Sequence, residues 1–163
     1  MILPKSRHLF FMAAVGCVAI IGFALFLQYV KALEPCPLCI SQRIAILALF
    51  LVTILAATHN PNHFGYKIYS FVTIAFSVIG MTLAGRQLWI QNLPPDKAPA
   101  CMPSVTFLVD VLPLADLAKI MLTGSGGCAS VQWTFLGLAI PGWTFLIFTA
   151  FTFFGFFEFI RNR

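Results

Sequence analysis

Four long apolar segments constrain this chain more than any other feature. We place them at 9–30, 40–58, 67–88 and 141–160. A helix needs about 20 consecutive apolar residues to cross the hydrocarbon core of a bilayer, and each segment approaches or exceeds that length. With 60% hydrophobic and only 9% charged residues, the composition lies far from that of a soluble domain. The sequence therefore predicts an all-α membrane protein, a four-transmembrane-helix bundle forming a single domain over 1–163.

The first segment could instead be a secretory signal peptide. Its apolar core is too long for one, and no good small-x-small cleavage site precedes the first pair of cysteines. We therefore expect an uncleaved span. The net charge of +5 does not indicate a nucleic-acid partner, because the basic residues are scattered or lie at segment ends and form no basic face. Some of them can contact anionic head groups of the lipid bilayer.

The loops 31–39 and 89–140 must lie on the same side of the membrane if there are four spans. Within the longer loop, the stretch 105–122 is apolar but is interrupted by charges and by Pro113. It is too broken to span. We predict a short helix lying in the membrane interface, kinked at the proline.

The stretch 35–43 reads Pro-Cys-Pro-Leu-Cys-Ile-Ser-Gln-Arg and separates the first two spans. Proline suits the first position of a helix, so a helix starting near Pro37 would put Cys39 in its first turn. Unpaired backbone N–H groups there favour a thiolate. Arg43 lies on the same helical face and adds a permanent positive charge. A low-pKa thiolate is a good leaving group, so the spacing indicates redox chemistry.

A structural disulfide is the competing interpretation of Cys36 and Cys39. Closing so small a ring stabilises a fold by only ~2 kcal/mol on the chain-entropy formula. A zinc site fits poorly, because these two form the only CxxC pair and no second close pair exists, so we predict no metal. Cys17 lies in the middle of a span and is expected to be an inert, small hydrophobic residue.

Cys101 and Cys128 lie in the long loop in different surroundings. Prolines flank Cys101 and predict an extended, stiff chain. The run 124–127, Gly-Ser-Gly-Gly, precedes Cys128 and predicts a mobile tether that lets it reach Cys36. A bond between Cys101 and Cys128 would close a loop of about 28 residues, worth ~3.6 kcal/mol. A structural disulfide and a redox relay both remain open for this pair.

The distribution of Lys and Arg favours cytoplasmic termini only weakly. The cysteines decide more, because all except Cys17 fall on the side of the two loops, and disulfides persist outside the cytosol. We therefore expect a multi-pass protein with cytoplasmic termini and the other cysteines in the periplasm of a Gram-negative cell.

The sequence resembles the DsbB family of bacterial disulfide-generating membrane proteins. Three stretches carry the resemblance, namely CPLCISQR at 36–43, GRQL at 85–88 and CASVQWTFLGLAIPGW at 128–143. The last stretch is long and specific, whereas CxxC alone would not be. Because the four-span layout agrees as well, the resemblance covers nearly the whole chain and implies a bacterial inner-membrane, quinone-dependent thiol oxidoreductase.

The resemblance implies a role for each cysteine outside the spans. Cys101 would form a mixed disulfide with the periplasmic thioredoxin-fold oxidase DsbA, and Cys128 would be its resting partner in a Cys101–Cys128 disulfide. Cys128 would then pass electrons to Cys36 of a Cys36–Cys39 disulfide. Cys39 would be released as a thiolate and meet ubiquinone, or menaquinone under anaerobic conditions, in a charge-transfer contact. Arg43 would stabilise both that thiolate and the quinone oxygen.

Two positions depart from the family pattern. Asn92 stands where the pattern has a histidine, and Gln42 where an acidic residue can occur. Asn92 could still donate a hydrogen bond to a quinone oxygen. Two other functions compete with the oxidase: a membrane scaffold with static disulfides, and a transporter. Few central polar residues and no paired broken helices argue against the transporter.

Overall fold

The structure is a computed structural model that describes residues 5–94, 99–100, 105–131 and 133–161. Its long helices are α1 Ser6–Tyr29, α2 Pro37–His59, α3 His63–Gln91 and α6 Ile140–Arg161. All four are long and apolar enough to cross a membrane. The prediction of an all-α bundle with four spans is therefore confirmed, and the helices extend the predicted spans by only a few residues.

The short turn between α2 and α3 is built by asparagines. Asn60 ends α2 in the left-handed conformation, with φ of 44°. Asn62 caps α3, because its side-chain oxygen accepts a hydrogen bond from the backbone N–H of Gly65 at 3.2 Å. Asparagine tolerates left-handed φ and caps well, so a tight antiparallel reversal follows from the local sequence.

The long loop contains two short helices, α4 Val105–Val111 and α5 Leu114–Thr123. The sequence predicted one kinked helix here, but the structure breaks it at Pro113, which lacks the N–H that a continuous helix needs. α5 docks on the bundle through its carbonyl groups: the Ser41 hydroxyl donates to Met121 O at 2.7 Å. The loop is thereby attached to α2.

Two small elements that the sequence did not indicate follow α5. A single 3₁₀ turn covers Gly126–Cys128. A minimal hairpin then pairs β1 Thr134–Phe135 with β2 Leu138–Ala139. Leu136 and Gly137 between the strands both have positive φ, as tight hairpin turns require. The hairpin leads directly into α6.

The bundle core contains Cys17, which is fully buried among apolar residues of α2 and α6, as expected of an inert residue. Helices α3 and α6 approach closely at Gly80, which forms with Ala84 a small-xxx-small pair of the kind that permits close helix packing. A Cβ atom on Gly80 would lie 2.2 Å from the ring of Phe148, which is itself fully buried. The absence of a side chain at Gly80 is therefore required for this contact.

Substituting Gly80→Ala should lower the free energy of unfolding by about 1–3 kcal/mol, because the buried Phe148 ring has no room to move away from the new methyl group. Thermal unfolding of the purified protein in detergent, followed by tryptophan fluorescence, measures the effect. Gly22→Ala is the matched control, since no atom lies within 4 Å of its added Cβ. Equal melting temperatures for the two variants would refute this packing.

Candidate functional site

The site forms at the start of α2, where Cys36 is the N-cap residue and Pro37 the first helical residue. Cys39 therefore lies in the first turn, as the sequence predicted. Its backbone N–H donates to Cys36 Sγ at 3.4 Å, so the sulfur of Cys36 satisfies a helix-end donor. The two Sγ atoms lie 2.8 Å apart, and both residues are free cysteines.

Cys128 brings a third sulfur to the same place. It is 1% exposed and packs against Leu38 of α2 and Ile90 of α3. Its side chain is hydrogen-bonded to that of Cys36. Cys36 therefore lies between the sulfur of its own motif and the sulfur of the distant loop, which is the geometry that exchange between two cysteine pairs requires.

Close packing holds the segment before Cys128 in place. Gly124 has φ of +83°, and a Cβ on it would lie 2.7 Å from Leu38 and 3.0 Å from Ile90. Ser125 is buried as well. The sequence predicted a mobile, glycine-rich tether that swings toward Cys36. The structure corrects this: the segment is packed against α2 and α3, and Gly124 permits the close approach.

Hydrogen bonding sets the protonation of Cys36 and Cys128. The Cys36 side chain and the backbone of Ser125 and Leu38 hydrogen-bond Cys128 and, despite its burial, lower its pKa to about 6. Conversely, the sulfurs of Cys128 and Cys39 raise the pKa of Cys36, because its proton is shared with them. Cys128 is thus the cysteine that ionises more readily to a thiolate, and its sulfur contacts that of Cys36.

Gln87 of α3 is a site residue that the sequence analysis did not assign. Its Nε2 lies 3.4 Å from both Cys36 Sγ and Cys39 Sγ, and Cys39 Sγ lies 3.8 Å from its Oε1. The sequence feature that indicates Gln87 is its place in the GRQL stretch, where an uncharged polar side chain lies near the end of a span.

Gln87 belongs to a chain of hydrogen bonds that crosses three helices. Gln42 Nε2 of α2 donates to Gln87 Oε1 at 2.8 Å, and the Thr144 hydroxyl of α6 donates to Gln42 Oε1 at 2.7 Å. Gln42 and Gln87 are only 3% and 4% exposed. Every amide in this hydrogen-bond chain thus has a partner, as buried amides require.

Arg43 lines the same cavity as Cys39, in agreement with the predicted shared face. Its guanidinium, however, is hydrogen-bonded to α1: it donates to Gln28 Oε1 and, at 3.1 Å, to Ala24 O. The polar side chain that contacts Cys39 is that of Gln87. An arginine is long enough to reach a neighbouring helix, and backbone spacing alone does not fix where it ends.

Asn92, another predicted site residue, lies outside this cluster. Asn92 ends α3 with an exposed side chain, and its Nδ2 donates to Leu88 O at 2.8 Å. It is not in the lining of the cavities beside Cys39. Cys101 lies outside the described residues, and with it the proposed Cys101–Cys128 disulfide.

Two neighbouring hollows lie beside Cys39 and between α1 and α6. The first, of about 90 Å³, is lined by Cys39, Gln42 and Arg43 among others. The second is an apolar groove of about 510 Å³ between α1 and α6, with Trp133 and Trp143 on its walls. The two share the lining residues Ile20, Ala24, Leu27, Ile140 and Thr144. A recess that places Gln42 and Arg43 beside a sulfur thus neighbours an apolar groove.

Comparison with known proteins agrees with this arrangement. The family described as "Disulfide bond formation protein DsbB" matches over residues 6–157. The chain is similar to Disulfide bond formation protein B of Hahella chejuensis, at 48% identity over 90% of this chain and 89% of the relative. It is also similar to the proteins of the same name from Nitrosococcus oceani, at 44% over 87% and 84%, and Marinobacter nauticus, at 42% over 96% and 94%.

In the reduced protein, the pH midpoint for alkylation of Cys128 by iodoacetamide should lie below that of an ordinary thiol. The hydrogen bond from Cys36 lowers the pKa of Cys128, so Cys36→Ala should raise that midpoint toward the ordinary thiol value. Mass spectrometry of the modified peptide measures the rate at each pH. Cys17→Ala, in the bundle core, is the control and should leave the midpoint unchanged. An unaltered profile in Cys36→Ala would contradict the assigned contact.

Proposed function

Because the chain belongs to the DsbB family of disulfide bond formation proteins, we propose that it reoxidises a periplasmic DsbA-like thiol oxidase and passes the electrons to a membrane quinone. Membership of this family itself makes the chain a disulfide-forming oxidoreductase of the membrane. One observation carries the rest: the sulfurs of Cys36, Cys39 and Cys128 meet at the first turn of α2.

The electron path begins at the loop cysteines. A thiolate of the partner attacks Cys101 of a Cys101–Cys128 disulfide, so that a mixed disulfide forms and Cys128 leaves as a thiolate. That thiolate attacks Cys36 of a Cys36–Cys39 disulfide, and Cys39 leaves as a thiolate in turn. Each exchange forms one S–S bond and breaks one, so electrons move without any net change in bond count.

The cycle closes when the partner's second thiol resolves the mixed disulfide. The partner leaves as a disulfide, and Cys101 is released to re-form its bond with Cys128, which frees Cys36. Across the cycle the partner loses two electrons and two protons, and these leave the chain from the pair Cys36 and Cys39. The lowered pKa of Cys128 supports its role as the attacking sulfur within this cycle.

The position of residue 100 supports the pairing of Cys101 with Cys128. The backbone N–H of Gly126 donates to Ala100 O at 3.0 Å. The residue before Cys101 is therefore tied to the turn that contains Cys128, although Cys101 itself lies outside the described residues. A chain held in this way would keep the two loop cysteines within reach of one another.

The two neighbouring hollows support the choice of a quinone as the electron acceptor. Its polar ring matches the recess beside Cys39, Gln42 and Arg43, and its isoprenoid tail matches the apolar groove between α1 and α6. When bound, a quinone supplies a two-electron, two-proton acceptor. Arg43, held by Gln28 of α1, places a positive charge on the wall of that recess. We propose ubiquinone as the acceptor, with menaquinone as the anaerobic alternative.

Orientation in the membrane follows from the chemistry. Cys36 and Cys128 lie at the end of the bundle opposite the start of α1 and the end of α6. Because disulfides persist outside the cytosol, we propose that this end faces the periplasm across the bacterial inner membrane, with both termini in the cytoplasm.

Turnover tests the proposal directly. Purified protein mixed with a reduced DsbA-like oxidase and a soluble ubiquinone analogue should consume the quinone absorbance, and Cys39→Ser should abolish this because no sulfur then faces the acceptor. Cys17→Ala serves as the control and should retain full activity. Normal turnover by Cys39→Ser would refute the relay.

The resting connectivity is open to peptide mapping. Trypsin cuts the chain so that the cysteines outside the spans fall on three peptides, 32–43, 98–119 and 120–161. We expect Cys36–Cys39 within the first peptide and a link between the other two. A DsbA-like oxidase lacking its resolving cysteine should be trapped on peptide 98–119. Absence of any adduct would favour the alternative of a scaffold with static disulfides.

Narrowing the groove should affect long-tailed quinones selectively. Ile147→Trp narrows the groove, which Ile147 lines without lining the recess beside Cys39, so the KM for a long-tailed quinone should rise several-fold while that for a short-tailed analogue changes little. Leu146→Trp is the matched control, because Leu146 is exposed on the same helix and lines neither hollow. Equal effects of the two substitutions would place the tail elsewhere.

A further inference from the structure

We propose that Gln87 is a catalytic residue that sets the reduction potential of the Cys36–Cys39 pair, and that Gln42 and Thr144 are positioning residues that aim its amide at the two sulfurs. This inference rests on the proposed function for its biological meaning, because it concerns the pair from which electrons leave. The property it assigns belongs to the chain itself and can be measured without any acceptor.

The hydrogen-bond chain fixes which end of the Gln87 amide faces the sulfurs. The Thr144 hydroxyl has one hydrogen and lies 2.7 Å from Gln42 Oε1 but 3.1 Å from Pro141 O, so we assign the hydrogen to the shorter contact. The NH₂ group of Gln42 then faces α3 and donates to Gln87 Oε1. The NH₂ group of Gln87 is thereby directed toward Cys36 and Cys39, with Nε2 at 3.4 Å from each sulfur. One hydrogen is available for each sulfur.

The two N–H groups of Gln87 interact more strongly with the reduced than with the oxidised form of the Cys36–Cys39 pair. A thiolate is a charged acceptor that forms strong hydrogen bonds with N–H groups, whereas the sulfurs of a disulfide are neutral and weak acceptors. Gln87 therefore stabilises the reduced pair more than the disulfide. The effect is enlarged by burial, because Gln87 and Gln42 are almost fully enclosed and successive hydrogen bonds polarise one another there.

The redox consequence has a definite sign. Stabilising the reduced form raises the reduction potential of Cys36–Cys39, so the pair accepts electrons more readily from Cys128. Removing the amide of Gln87 should shift the equilibrium toward the disulfide by about tenfold, which corresponds to about 30 mV for a two-electron couple. The loop pair should not shift, because Gln87 donates to neither of its sulfurs among the described contacts.

A redox titration of the full-length protein in glutathione buffers tests this. Samples are quenched in acid, alkylated and digested with trypsin. The peptide 32–43 contains Cys36 and Cys39 but no other cysteine, so its redox state is read separately from the loop pair. Gln87→Leu should show the tenfold shift, and Gln87→Met provides a second apolar variant if the first does not fold.

Gln91→Leu is the matched control. Gln91 is the same residue type one turn further along α3. It lines a small cavity together with Gln87, Cys36 and Cys39 but makes no hydrogen bond to either sulfur among the described contacts. It should keep the wild-type potential. A wild-type potential in folded Gln87→Leu or Gln87→Met would overturn the inference, as would an equal shift in Gln91→Leu.

The positioning residues are tested by coupling. Thr144→Val removes the hydroxyl that orients Gln42, so it should shift the potential in the same direction as Gln87→Leu but by less. In a Gln87→Leu background, Thr144→Val should cause no further shift in the reduction potential, since the hydrogen-bond chain no longer ends on sulfur. Additive shifts in the reduction potential from the two substitutions would overturn the assigned hydrogen-bond chain. A merely structural role would lower the melting temperature and leave the potential of peptide 32–43 unchanged.

The outcome is separable from that of the proposed function. If quinone or a DsbA-like partner fails to react but Gln87→Leu still shifts the potential, the assignment of Gln87 stands and the identity of the electron partners fails. If turnover is normal but the potential does not move, the proposed function stands and Gln87 is not the residue that tunes the pair.

Discussion

The backbone N–H groups at the start of α2 have no partners within the helix, and sulfur atoms satisfy them. Cys36 Sγ accepts from the N–H of Cys39, and the backbone of Leu38 hydrogen-bonds Cys128. A helix start therefore gathers polarisable, ionisable atoms at the edge of an apolar bundle, where isolated donors would be costly. Pro37 fixes this start, because it suits the first helical position and needs no donor partner.

The rest of the site depends on how other elements are held against that first turn. Ser41 binds the carbonyl of Met121, and Arg86 binds the carbonyl of Thr123 at 3.4 Å, so the end of α5 is attached to two helices. Gly124 then allows the chain to pass close to α2. These contacts bring Cys128 to Cys36 as part of a packed surface, so the exchange that we propose between the cysteine pairs would need no large movement of this segment.

Buried amides form a second requirement of the same site. An apolar bundle tolerates Gln42 and Gln87 only because each is hydrogen-bonded, and the chain from Thr144 ends on sulfur. Of these buried polar groups, Gln87 is the one whose amide contacts the sulfurs of Cys36 and Cys39. Beside them, the recess at Cys39 neighbours the apolar groove between α1 and α6.

The sequence by itself determined the spans and the start of α2, because both depend on local properties: the length of an apolar run and the geometry of proline. It also placed Cys39 in the first turn and carried the family resemblance. Only the tertiary structure decided that Gln87 contacts the sulfurs, that Arg43 binds α1, and that the segment before Cys128 is packed. Those contacts depend on the relative rotation and depth of separate helices, and side chains as long as arginine and glutamine can reach several neighbours from one backbone position.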